Sequence, residues 1–160
     1  MENQDYTREL NRFLVEAFND ILKTEEAYVS GYCSDLSLRE VHLIEEVCRA
    51  VDQGRDNRAS AIAAAQHVTA GTLTAAVNQL EAKGYLERVR DGSDKRSVRL
   101  CPTRKGREAD RHHAGFHREL VEAAVGTLTA EERSALARGL SGVSAFVRKK
   151  YLTRSSCAGI

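Results

Sequence analysis

Tryptophan is absent from this chain, proline occurs once in 160 residues, and no apolar run approaches the roughly 18 residues that cross a bilayer. One proline among many helix formers leaves few enforced breaks, so a mainly helical chain is expected. The balance of 42% hydrophobic and 29% charged residues excludes a disordered segment and allows one globular domain with its own core. The opening MENQDYTREL is polar and partly acidic, unlike a signal peptide, and a cytoplasmic protein is expected. Also missing are a Gly-x-Ser-x-Gly elbow, a P-loop, a dinucleotide-binding glycine fingerprint and alternating strand-helix units, so enzyme activity is not expected. Internal repeats and low-complexity tracts are absent too. The four cysteines, Cys33, Cys48, Cys101 and Cys157, contain no CxxC pair and read as structural or incidental thiols. Cys33, near a helix end, is the one candidate for a redox switch, with no obvious activating base.

What is present is uneven charge. Residues 1 to 50 carry 5 Lys+Arg against 11 Asp+Glu, while residues 83 to 107 carry 9 against 3. A short basic stretch in a near-neutral molecule suits a local phosphate-contacting surface, the alternative being a solvated charge run.

Apolar residues at Leu10, Phe13, Leu14, Ala17, Phe18, Ile21 and Leu22 form one helical stripe over about 8 to 29, ended by Gly31 and residues 33 to 36. Ser37 with Glu40 makes a capping box for a second helix with the stripe Leu38, Val41, Ile44, Cys48 and Val51. After the turn-like DQGRDN, Asn57 or Ser60 caps a short alanine-rich helix anchored by Ile62. Thr69 caps the next, which runs to Lys83 and closes at Gly84. YLERVR (85 to 90) and SVRLC (97 to 101) alternate with period two around DGSDKR, predicting a β-hairpin with a charged tip. Thr103 caps a long helix carrying Ala109, His113, Phe116, Leu120 and Ala124 on one side, broken at Gly126. Thr129 with Glu132 opens a last helix bearing Leu136, Leu140, Val143 and Val147, close to a heptad seam.

Two short helices across a tight turn, followed by a basic hairpin, predict a winged helix-turn-helix over 36 to 103 within a single domain of 1 to 160. The flanking helices, 1 to 35 and 104 to 152, are long and apolar on one side. Burying them against a second copy predicts a homodimer, with 153 to 160 as a frayed tail. In the helix from Thr69 to Lys83, Leu73, Ala76, Val77 and Leu80 face inward. Gly71, Thr74, Ala75 and Asn78 then face outward, where small residues approach the major-groove floor and Asn suits adenine. Thr69 and Thr72 sit at the helix N-terminus, favourable to a phosphate. Arg88, Arg90, Lys95, Arg96 and Arg99 form the basic wing, with Asp94 placed to hold Arg96 extended toward a narrow minor groove. The expected partner is double-stranded DNA with two-fold-related half-sites about 10 base pairs apart.

The run VTAGTLTAAVNQLEAKGYLERVRDGSDKRSVRLCPTRKG resembles the MarR family of transcriptional regulators, in which a recognition helix, a Lys-Gly-Tyr/Leu-x-x-Arg step, an Asp-x-Arg wing tip and a Thr-x-x-Gly helix start follow in register. The resemblance implies a repressor with 69 to 83 as recognition helix, Asp94 and Arg96 as the wing pair, and the terminal helices as dimer interface. Within the family the chain is similar to the FabT-type repressors of fatty-acid biosynthesis, which implies acyl-acyl carrier protein as corepressor and an apolar acyl pocket. A competing idea rests on His113 and His117, which at i and i+4 share one helix face and suit zinc. His42 and Glu26 lie at positions similar to ligands of zinc-responsive members of the family. The other readings of these histidines are a hydrogen bond between helices, carrier docking or a pH effect.

Overall fold

The computed structural model describes residues 2 to 90 and 98 to 152, with side chains described from 5 to 90 and from 98 to 150. The expectations for Asp94, Lys95 and Arg96 at the wing tip, and for the tail, lie outside the described residues. Six helices and one hairpin follow in the predicted order: α1 (Glu2–Tyr32), α2 (Leu38–Asp52), α3 (Ala59–Ala65), α4 (Ala70–Ala82), β1 (Leu86–Arg90), β2 (Val98–Pro102), α5 (Arg104–Val125) and α6 (Ala130–Val147). A π-helical turn, Arg148–Leu152, continues α6.

Both predicted capping boxes form: Ser37 and Glu40 open α2, and Thr129 and Glu132 open α6. Two boundaries differ from the sequence reading. α1 starts six residues earlier than Arg8 and passes through Gly31 to Tyr32. Tyr32 continues the inward stripe, stacking on His112 with ring centroids 4.8 Å apart. The N-cap of α3 is Arg58, with no side-chain capping bond, and neither Asn57 nor Ser60 takes that role. Asn57 is buried and its amide donates to the Leu100 carbonyl at 2.9 Å, while its oxygen accepts from Arg99. It ties the start of α3 to β2 and cannot also cap a helix.

The α3–α4 connection is a Schellman turn: Val68 N–H donates to the Ala63 carbonyl and His67 N–H to Ala64. The left-handed residue is His67, with φ of 53°. The same motif ends α4, with Tyr85 N–H on Leu80, Gly84 N–H on Glu81, and Gly84 at φ of 78°. There glycine removes the Cβ penalty of the left-handed region.

The strands pair antiparallel with Arg88 opposite Leu100, and an isolated bridge joins Arg58 to Arg99. The core gathers Val41, Ile44, Val47 and Cys48 of α2, Ile62 of α3, Leu73, Val77 and Leu80 of α4, Tyr85, Leu86 and Leu100 of the hairpin, and Ala109 of α5. This is a winged helix-turn-helix built on α2, α3, α4 and the hairpin. α1 and α5 pack against its α2 side, and α6 has no buried residue.

Candidate nucleic-acid interface and histidine cluster

α4 is positioned by burying Leu73, Val77 and Leu80. Helical geometry then turns Gly71, Thr74, Ala75 and Asn78 outward, and all four are exposed. Thr69 caps the N-terminus by accepting from Thr72 N–H at 3.2 Å, and the two hydroxyls lie 2.9 Å apart. The first turn therefore presents amide N–H groups and two hydroxyls where the helix dipole favours an anion. Thr74 donates its hydroxyl to the Ala70 carbonyl at 2.8 Å, which spends its hydrogen and leaves its oxygen to accept only. Asn78 is engaged through its amide oxygen, which accepts from Arg88 Nη2 at 2.9 Å. Arg88 also pairs through its guanidinium with Glu81, whose carboxylate accepts the Arg88 backbone N–H as well. Of the basic residues expected on the wing, Arg88 is thus tied to α4, and Arg90 is exposed at the end of β1.

A second constellation lies between α1, α2 and α5. Glu25 is buried, and its Oε1 is 2.6 Å from His113 Nε2, 3.1 Å from His117 Nε2 and 3.2 Å from His42 Nε2. Three imidazole nitrogens from two helices converge on one carboxylate oxygen of a third. Glu25, His113 and His117 each bring one ligand atom within 4.8 Å of the others, and His42, Glu45 and His113 form a second such trio. The dominant effect of burial would raise the Glu25 carboxyl, but hydrogen bonds from His113 and His42 outweigh it and hold it below the usual range. His113 is 1% exposed, and burial alone would favour its neutral form; Glu45 and Glu25 overcome this and raise it. Its Nδ1 lies 3.4 Å from Glu45 Oε2 without an aligned hydrogen bond. Glu45, beside His113 and paired with Arg49, is held down to about 2.

The residue expected here from sequence was Glu26. It is exposed, whereas Glu25 occupies the buried position. The inward face of α1 runs through Ile21, Glu25, Tyr28, Val29 and Tyr32, and position 26 is rotated about 100° away from 25. The three-and-four spacing from Leu14 and Ile21 carried that signal.

Beside the cluster, a groove of about 420 Å³ runs between α2 and α4, its walls including Arg39, His42, Leu43, Val68, Thr72 and Leu73. The ring of His42 stands between groove and cluster.

Residues 34–97 match the family model described as the MarR family. The structure of Streptococcus pneumoniae FabT in complex with DNA superposes with a TM-score of 0.79 at 34% identity, covering 89% of this chain and 98% of that one. The chain belongs to the MarR family. Other MarR-type structures align along most of their length. The transcriptional regulator BldR from Sulfolobus solfataricus gives a TM-score of 0.60 at 26% identity, covering 91% of this chain and 99% of that one. The S. aureus MepR–DNA complex gives 0.68 at 16% identity, covering 86% and 95%, which supports the fold alone. Comparison with curated proteins gives no match. As a MarR-family member this chain is a DNA-binding transcriptional regulator, and its relatives are regulators rather than enzymes. No described helix is long and apolar enough to cross a membrane.

Proposed function

We propose that this MarR-family protein is a homodimeric, cytoplasmic repressor whose grip on operator DNA is set by a divalent metal, zinc by ligand chemistry, held by Glu25, His42, His113 and His117. The observation that carries this reading is the gathering of three Nε2 atoms within 3.2 Å of Glu25 Oε1. Zinc takes nitrogen and carboxylate ligands at about 2.0–2.1 Å in a tetrahedron, whose edges are then roughly 3.3 Å. The edges from Glu25 to His42 and His117 are near that length, and Glu25, His113 and His117 bring their ligand atoms within 4.8 Å of one another, with His42 closing in as the fourth. Glu45, 3.4 Å from His113 Nδ1, is placed to become the outer carboxylate that would orient a ligating imidazole and leave Nε2 for the metal. An ion joining α1 and α5 to α2 would clamp the flanking helices onto the DNA-binding unit and hold α4 in one orientation. On this reading α4 enters the major groove with Gly71, Thr74 and Asn78. Thr69 and Thr72 meet phosphate, and Arg90 with Asp94, Lys95 and Arg96 serve the wing.

A second reading has its own support. The 34% identity to FabT favours a repressor of fatty-acid synthesis genes with long-chain acyl-acyl carrier protein as corepressor, and the groove beside Arg39 falls in the 300–1,000 Å³ range of small-ligand sites.

Fluorescence anisotropy with a palindromic duplex from upstream of the protein's own gene decides between them. Zinc should tighten binding at least about tenfold, a chelator should reverse it, and Glu25→Ala and His113→Ala should abolish the response. Tightening by the acylated carrier alone, with zinc inert, would replace the metal reading with the lipid one.

A further inference from the structure

The Asn78 amide is not free to present either of its ends. Its oxygen accepts from Arg88 Nη2 at 2.9 Å, and a guanidinium only donates, so the partner itself fixes which end of the amide points inward. Arg88 is in turn held by the Glu81 carboxylate, which takes both its guanidinium and its backbone N–H, and Glu81 lies one turn along the same helix as Asn78. The resulting chain, Glu81 to Arg88 to Asn78, crosses from α4 to β1 and back. Among the described residues Asn78 Nδ2 has no partner, and residue 78 is exposed on the outward face of α4.

This matters for base recognition. An unconstrained Asn reads adenine by accepting from N6 and donating to N7, which needs both ends of the amide. Guanine presents two acceptors, N7 and O6, and asks only for donors. We propose that Arg88 sets the base preference of Asn78: by taking one lone pair of the amide oxygen and turning that oxygen toward β1, it leaves the Nδ2 donors as the end presented outward, which favours guanine over adenine. The inference rests on α4 being the helix that enters the major groove. Arg88 is here a positioning residue, with its own charge balanced by Glu81.

The test is selection of full-length protein on duplexes with randomised half-sites, followed by anisotropy titrations with each base at the position whose preference disappears in Asn78→Ala. The wild-type protein should favour guanine over adenine there by roughly 5- to 100-fold, the size of one good base contact. Arg88→Ala, which frees the oxygen, should move the preference to adenine at that position alone, with other positions unchanged. A purely structural role for Arg88 would weaken all positions together and leave the base order intact. Wild-type preference for adenine, an unchanged preference in Arg88→Ala, or no position that depends on Asn78 overturns the proposal while leaving DNA binding standing. A wild-type protein that binds no duplex overturns the major-groove reading and this inference with it.

Discussion

Burial and ion pairing act in opposite directions on the carboxyl of Glu25, and the outcome depends on two histidines, His113 and His42. A carboxylate so deep is costly unless paired, and the imidazole nitrogens around it are its partners. The metal proposed above would meet the same need more strongly, since it would gather all three nitrogens at once. Glu45 shows the cost of acid most directly. Its folded carboxyl sits near 2 against 4.5 in the unfolded chain, held down by His113 and Arg49. A depressed carboxyl stabilises the fold above the unfolded value and loses that contribution as pH falls toward the folded one. In metal-free protein, Glu45→Gln should therefore cost on the order of 2–3 kcal/mol at pH 6, with the difference from wild type shrinking as pH falls from 4.5 toward 2 in urea melts. A difference that stays constant with pH would disprove this role. Sequence spacing placed His113 and His117 on one face, and only the family resemblance brought His42 to them. It missed Glu25 because adjacent glutamates differ only in helical phase. It could not reveal Arg88 on Asn78 at all, since that bond spans two elements whose relative placement follows from packing.

The recognition element is held by its ends rather than by its length. α4 has thirteen residues, a threonine cap at one end and a Schellman glycine at the other. These local signals were all readable, because capping chemistry is written within four residues of each terminus. The cap of α3 was not, since Asn57 is claimed by Leu100, forty-three positions away. The join between hairpin and α5 is tighter still. Thr103 Oγ1 donates to the Gly84 carbonyl at 2.7 Å and accepts from Gly106 N–H at 3.1 Å. A methyl group at Gly106 would overlap the Tyr85 carbonyl oxygen, a backbone atom with little room to yield. Gly106→Ala should destabilise by roughly 1–3 kcal/mol through overpacking. It should also loosen the hairpin, seen as faster amide exchange over 86 to 90. Stability equal to wild type would show that α5 shifts freely against β1.

Taken as one molecule, the chain leaves much apolar surface uncovered. Phe13, Phe18 and Leu22 on α1 and Leu140, Val143 and Phe146 on α6 are all exposed, and α6 buries nothing within its own protomer. Exposed apolar stripes on two long helices are the mark of an interface, and the two-fold pairing proposed above covers them with their own copies. Leu140→Asp should then convert the protein to a monomer in sedimentation velocity and weaken operator binding at least about a hundredfold, because each half-site must be bound alone. A variant that stays dimeric would place the interface elsewhere. The sequence showed these stripes and the heptad-like spacing of the last, but helix faces without partners in the chain carry no record of register.

An α6 that finds no cover in its own protomer has a consequence for dosage. When half the binding unit is a second copy, and copies are scarce, the number of competent readers rises with the square of chain concentration. Halving expression would then leave about a quarter of the readers rather than half. A cell carrying this protein would switch its operator over a narrower range of synthesis rates than a monomeric reader allows, and a small drift in translation would be felt at the promoter before any effector changed.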